Sequence, residues 1–489
     1  MLTVLASFST IHAKRAIRLL VALSAALTVL GLTAGRAGAL PLGTITTVAG
    51  TGAAGFGPWP GTGTAGQLSS PAGVAYDTIA GSNVVFIADT ANCDVLEENV
   101  ATQAVSVVVN TLHVCGPPST PPTAASSASL DHPEGVAVDT GKQLLYIADR
   151  DNHGIEVVNL AASPPVLVNF IFLNGASLSL PVDVSVDQAS HDLYVADQGL
   201  DVIWRIPFGM PETIFAGIPD APGFNGNGGA ATSANLNGPS GVAFVPGGTV
   251  FIGDTMNNEV RYVFGGVIHL FLGSPGAVPG FSPDGCSGTC PITAPTVVRV
   301  DGGTVFYDED GPAANLVREV NATALSTVAG EPPPGGTPFP YSGKPASSVA
   351  LSSPHGLTFV PDGTSADVWF SDTNNNVVDS VTGVAAASIF SSSPSITSAN
   401  SAFATVGQSA TFTITTSGSP TPKIKGHGKL PKGLKFHDNG DGTATISGTP
   451  TSTKHKSADG LYPIKVTATF GKGKAKFVAT QTWTLRVTG

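Results

Sequence analysis

"HPEGVAVDTGKQLLYIADRDNHGIEVVNL", residues 132–160, is the stretch from which the fold can be read. Its opening V-A-V-D alternates apolar and polar side chains, the pattern of a strand with one buried face. Gly141 sits in the turn that follows, and "LLYIAD" is apolar on both faces, as in a strand covered from both sides. At "DRDN" the chain turns a corner, because a short carboxylate accepts backbone N–H groups a little further on and Asn tolerates the left-handed conformation. "GIEVVN" is then a third strand.

Aligned on the Pro that opens the first strand and the Asp that ends the second, the same unit occurs six times. The units run Pro71 to Asp89, Pro133 to Asp149, Pro181 to Asp197, Pro239 to Asp254, Pro295 to Asp308 and Pro354 to Asp372. Their closing aspartates lie 48 to 64 residues apart, so insertions fall in loops while the strands stay constant. A fourth strand is represented by "ITTVAG", "TIFAG" and "STVAG". A four-stranded sheet of this size cannot cover both of its own faces, and six packed radially cover one another. The expected fold class is all-β, a six-bladed β-propeller over residues 44–391. The early strand "ITTVAG" is expected to complete the last blade and so remove a sheet edge.

The pattern P-x-G-V-A-x-D followed by A-D-[TR]-x-N resembles the NHL-repeat family, whose members form six-bladed β-propellers. "VAGTGAAGFG" and "FAGIPDAPGFNGNGGAATSANLNGPSGVAF" are similar to a bacterial subgroup with a Gly-rich loop between blades. Units one, two, four and six carry the resemblance most strongly. In unit three Asp183 replaces the Gly of P-x-G, and "PTVVRV" in unit five lacks it, which implies different turn geometry there.

Beyond residue 391 the chain changes character. Residues 40–391 hold 7 Lys and Arg against 31 Asp and Glu, whereas residues 392–489 hold 12 against 3. Opposite charge balances mark two bodies, joined by the Ser-rich "SSSPSITSAN". The tail alternates like strands between Gly, Pro and Asp-Gly turns, which predicts a β-sandwich over 392–489. "LPKGLKFHDNGDGTATISGTP" resembles the Ig-like domains appended to many bacterial surface and secreted proteins.

Residues 1–39 read as an export signal: Lys14, Arg15 and Arg18 precede the 17-residue apolar run "LLVALSAALTVLGLTAG", and Ala37–Ala39 offers small residues for cleavage. The expected location is secreted or extracytoplasmic, at the cell surface if the signal is retained as an anchor. No later segment is apolar enough to cross a membrane. Four cysteines in an exported chain read as disulfides: Cys93 and Cys115 would close a moderate loop and Cys286 and Cys290 a short one, with the connectivity left open. Zinc is the weaker reading, since the spacing lacks paired C-x-x-C motifs and no histidine adjoins either pair.

The residues after the six opening prolines are Ala72, Glu134, Val182, Ser240, Thr296 and His355. If they line one rim of the channel, Glu134 and His355, with His132 and Asp183 nearby, are the candidates for acid–base or metal work. The alternative is that both histidines are turn residues beside Pro. Asp308, Asp310 and Asn315 in "DEDGPAAN" offer hard oxygens to calcium, although backbone capping explains Asp308 without a metal. The chain has no G-x-S-x-G elbow, H-E-x-x-H helix or Walker loop. Aromatic loop tips, Trp59 in "GFGPWPG", Phe224 in "GFNGNGG", and Phe339 and Tyr341 in "GGTPFPYSG", are candidate partner contacts, together with Glu134, Ser240, Thr296 and His355 at the rim.

Together these features lead to an exported, monomeric, non-catalytic binding protein whose propeller recognises a protein or glycan. The alternative is a propeller lyase or a lactone or ester hydrolase with a divalent metal (calcium or zinc) at the channel mouth. No nucleic acid is expected as a partner. The tail's eleven lysines suit an anionic polymer, but read more simply as solvated strand faces and guarded edges.

Overall fold

The computed structural model describes residues 43–488 apart from 172–177, 275–278, 287–289, 302, 312–313, 322–323, 332–335, 363–364, 387–394, 397, 399–400, 418–422, 440–442, 452–460 and 471–476. The export signal and most of the Ser-rich linker lie outside the described residues.

Six antiparallel sheets of four or five strands form the first body, each a blade in the order expected from the repeat. Their inner strands are Pro71–Ile79, Pro133–Asp139, Pro181–Val186, Gly241–Val245, Pro295–Asp301 and Pro354–Asp362, here numbered blades 1 to 6. Each inner strand touches that of the next blade, and the contact of Pro354–Asp362 with Pro71–Ile79 closes the ring. Closure is completed by Ile45–Ala49, which pairs antiparallel with the third strand of blade 6, Ile45 opposite Val381 and Thr46 opposite Ser380. Blades 1 and 2 each gain a two-residue fifth strand, Gly61–Thr62 and Thr123–Ala124.

Apolar clusters fill the seams between blades. Phe86 and Ala88 of blade 1 meet Val136 and Ile147 of blade 2, and Phe306 of blade 5 meets Leu357 and Phe370 of blade 6. The Gly of P-x-G is needed at these seams because adjacent inner strands run nearly in contact. A Cβ on Gly73 would lie 2.2 Å from the Glu134 carbonyl oxygen of the next blade, and one on Gly241 2.5 Å from that of Thr296.

The corner aspartates do more than turn the chain. Asp89, Asp149, Asp197, Asp254 and Asp372 are fully buried. Each reaches back about twenty residues to the loop entering its own blade: Asp89 accepts the Ser69 N–H at 2.6 Å, Asp149 that of Asp131 at 2.7 Å and Asp254 that of Asn237 at 2.8 Å. In blades 1, 2, 4 and 6 the other carboxylate oxygen takes the amide of the Asn three residues on, as Asn92 does for Asp89 at 2.7 Å. The left-handed position falls one residue after that Asn: Cys93, His153, Asn258 and Asn376 have φ of 53 to 59°. The first Asn therefore serves these corners as a donor, and in blades 4 and 6 a second Asn takes the left-handed position.

Blade 5 corrects the alignment of unit five by one residue. Pro71, Pro133, Pro181 and Pro354 face Asp89, Asp149, Asp197 and Asp372, whereas Pro295 faces Glu309. Glu309 thus holds the corner position, and Asp308 falls where the other blades carry Ala, Gly or Ser.

The second body is a sandwich of two four-stranded sheets. Ile414, Ala444 and Ile446 of one sheet meet Ile424, Val466, Trp483 and Leu485 of the other in a single core. Ser401–Thr405 runs parallel to Phe477–Thr488, while the other strand pairs are antiparallel. No helix among the described residues is long and apolar enough to cross a membrane.

Candidate functional site

Within a blade the inner strand runs away from its opening Pro and the second strand returns. One end of the propeller therefore carries the Asp corners and the long loops between blades, and the other carries the hairpin turns. The first end bears the rim residues expected from the sequence. Of these, Ala72, Glu134, Val182, Ser240 and Thr296 are buried, and His355 is half-buried.

Glu134, His132 and Asp183 each lie against a side chain that can carry the opposite charge. Glu134 is hydrogen-bonded to the Arg150 guanidinium, which also binds Asp151 at 2.8 Å. His132 Nδ1 lies 2.8 Å from Asp131 and 3.0 Å from Asp151. Among the described residues no hydrogen bond joins Glu134 to His355, so the structure does not assemble them into an acid–base pair. Ser240 Oγ accepts the Gln198 amide at 2.9 Å, and the Thr296 hydroxyl is buried without a partner.

Asp183 leads to the main surprise of the channel. Its carboxylate accepts both terminal nitrogens of Arg299 at 2.9 Å, a bidentate pair from blade 5 to blade 3. It also accepts the N–H groups of Val184 and Val242, each at 2.9 Å. The two units that depart from the repeat are thus tied to each other, through Asp183 at the Gly position of unit three and Arg299 where other units carry Ala, Ser or Thr. Arg299, with Tyr76, Ser185, Gln188 and Thr358, lines a channel cavity of about 160 Å3. Asp308, beside this pair, is fully buried with neither oxygen hydrogen-bonded. Burial pushes its carboxyl well above the usual range, against the pull of Arg299.

The proposed calcium ligands divide between two environments. Asp310 accepts the Ser353 hydroxyl at 2.7 Å and Asn315 accepts the Ser353 N–H at 3.3 Å, while Asp308 is drawn into the Arg299 field. Among the described residues, the group of His, Cys, Asp and Glu close enough to share an ion is Cys93, Cys115, Asp131 and His132. Its two sulfurs are joined as a disulfide, as are those of Cys286 and Cys290, so no thiolate is available there for a metal.

The aromatic tips need correction. Tyr341 is fully buried, with its phenol between the Asp372 and Asp379 carboxyls. Phe339 is half-buried, packed edge-on against Tyr341 at 5.4 Å. Trp59 lies over Gly66, where an added Cβ would come within 2.1 Å of the indole. Both aromatic loops fold inward because their rings fill space left by small residues. Phe224 does stand out, 45% exposed. Other loops of the same end expose side chains the sequence did not single out, Met256 at 62% beside blade 4 and Phe56 at 62%, Leu112 at 73% and Val114 at 62% on the loops of blades 1 and 2. Phe56 stacks on His113 at 5.0 Å, and the Cys93–Cys115 bridge pins the loop that carries His113. The Gly-rich "GFNGNGGAA" wraps buried Arg261, which donates to Asn225 O at 3.2 Å, Asn227 Oδ1 at 3.1 Å and Asn235 O at 2.7 Å. This loop cradles a guanidinium of its own chain.

A family model described as "Putative Ig domain" matches residues 377–488, from the third strand of blade 6 through the sandwich. The comparison with curated proteins returned no match. Among solved structures, a protein of unknown function from Bacteroides thetaiotaomicron is 16% identical with a TM-score of 0.51, covering 69% of this chain and 75% of that one, a likeness of fold alone. A gluconolactonase from Xanthomonas campestris is 16% identical (TM-score 0.41; 64% of this chain, 86% of that one). Virginiamycin B lyase from Staphylococcus aureus is 13% identical (TM-score 0.37; 63% and 79%). At these values neither enzyme bears on the activity of this chain.

Proposed function

We propose that the protein is an exported binding protein of the NHL-repeat kind, whose propeller recognises a partner protein with the end bearing the Asp corners. The observation that carries this reading is the contrast at that end. Glu134, Asp183 and His132 are held by opposite charges, while Phe56, Leu112, Val114, Phe224 and Met256 stand exposed on loops fixed by a rigid ring. Leu112, Val114 and Met256 at the same end as the two Phe favour a protein surface over a glycan, because aliphatic side chains offer a sugar neither stacking faces nor hydrogen bonds. The order of basic, apolar and small residues in 1–39 supports export. The sandwich serves for spacing or attachment.

The experiment is capture of cell-surface partners by the full chain, with cross-links located by mass spectrometry. The triple variant Phe56→Ser, Phe224→Ser, Met256→Ser should lose capture, and the double variant Glu134→Gln, His355→Ala should keep it. The opposite pattern would overturn the reading.

One observation favours the enzymatic alternative, the buried unpartnered carboxyl of Asp308. If the channel is catalytic, Asp308→Asn should abolish turnover of a lactone or ester panel by a chain that retains its fold.

A further inference from the structure

We propose that the seam between blades 2 and 3, at the hairpin end of the propeller, is a binding site for a small, mostly apolar molecule carrying one hydroxyl, of the phenol class. It lies at the opposite end from the face assigned above and is independent of that reading.

A cleft of about 230 Å3 opens there. Its walls are mostly apolar, with Tyr146 and Val168 from blade 2 and Leu193, Ile206 and Phe208 from blade 3, and Asn169 adds an exposed amide. Dry cavities on the order of 150 Å3 with walls of this kind take up benzene, so one substituted ring fits. The mouth is greasier than a surface turn requires: Phe208 is 53% exposed, Val168 42%, and Met210 on the same turn 67%. Burying such side chains against a ligand removes apolar area from water, which is the driving force available here.

His191 supplies the polar feature. It lines the cleft, and its Nδ1 lies 2.7 Å from a carboxylate oxygen of Asp139, itself fully buried. In the tautomer whose Nδ1–H donates to Asp139, the ring is fixed and Nε2 keeps its lone pair for a ligand. The Phe208 ring sits edge-on to His191 at 5.9 Å and carries the Lys142 ammonium 5.0 Å from its centroid, so both rings at the mouth are held in place. A mostly apolar slot whose imidazole is oriented from behind favours a ring or short chain that brings one donor. A ligand lacking the hydroxyl loses that hydrogen bond.

Isothermal titration of the full chain with p-cresol and with toluene tests the site. The wild type should bind p-cresol about fivefold to tenfold more tightly than toluene, the ratio one hydrogen bond of about 1 kcal/mol provides. His191→Phe should bring the ratio towards one. Val168→Trp, at an exposed position where the fold is not at stake, should block the slot and remove both. No heat from either probe at millimolar concentration, an unchanged ratio in His191→Phe, or unchanged binding in Val168→Trp would overturn the proposal.

Discussion

Asp183 and Arg299 occupy positions where most units carry Gly and a small residue, and each introduces a charge next to a seam that normally admits no side chain at all. Both are largely buried, at 2% and 17% side-chain exposure, and 116 residues separate them along the chain. Removing one partner of such a pair leaves a buried charge uncompensated, at a cost of about 3–5 kcal/mol, whereas removing both is often close to neutral. Asp183→Gly alone should therefore lower stability by that order. The double variant Asp183→Gly, Arg299→Ala, which gives both positions the residues most units carry, should recover most of it. Chemical denaturation of the four proteins in the cycle checks this, and a double variant as unstable as the single would show that the pair is not coupled.

The element that holds the ring together is a strand contributed from the other end of the chain. Without Ile45–Ala49, the third strand of blade 6, Val377–Ala386, would present an unpaired edge, and the apolar seam around Phe306, Leu357 and Phe370 would lose Ile45. Exposed edges of this kind pair with other chains. A variant lacking residues 43–49 should form higher oligomers on size-exclusion chromatography, while the intact ring elutes as a single species. The corners are the other structural device at this scale. Each buried Asp fastens the loop entering its blade to the corner that follows, so these loops are anchored although their sequences vary.

For the whole propeller, the excess of acids over bases is hidden inside. Burial raises Asp149, Asp301, Asp379, Glu259 and Glu309 to about 7, Asp94, Asp254 and Asp372 to about 6, and Glu156 to about 9. In the unfolded chain these groups ionise near pH 4. Between about pH 4 and pH 7 the folded protein holds more protons than the unfolded one, so stability falls as pH rises through that window, and Glu156 extends the fall to about 9. The Asp94 hydrogen bond raises His113, whose stabilising charge is likewise lost as pH rises; Asp151, lowered mainly by its hydrogen bond from Arg150, works the other way. Thermal unfolding should accordingly show a higher midpoint at pH 5 than at pH 8. Equal midpoints would mean that the buried carboxyls are solvated.

Much of this molecule was legible along the chain. Blade count and the order of strands follow from patterns that each segment carries locally, because a strand's two faces and a corner's turn chemistry depend on near neighbours; closure by "ITTVAG" follows from counting the strands of the repeat, and the even number of cysteines points to disulfides whose connectivity the structure supplies. What only the tertiary structure decided is which distant side chains meet. It placed Arg299 on Asp183, moved the blade 5 corner to Glu309, buried Tyr341 between two aspartates and left Phe56, Leu112, Val114 and Met256 exposed. Those outcomes depend on how six seams close around one axis, and a charged or aromatic residue finds its partner across a seam or channel that no local pattern describes.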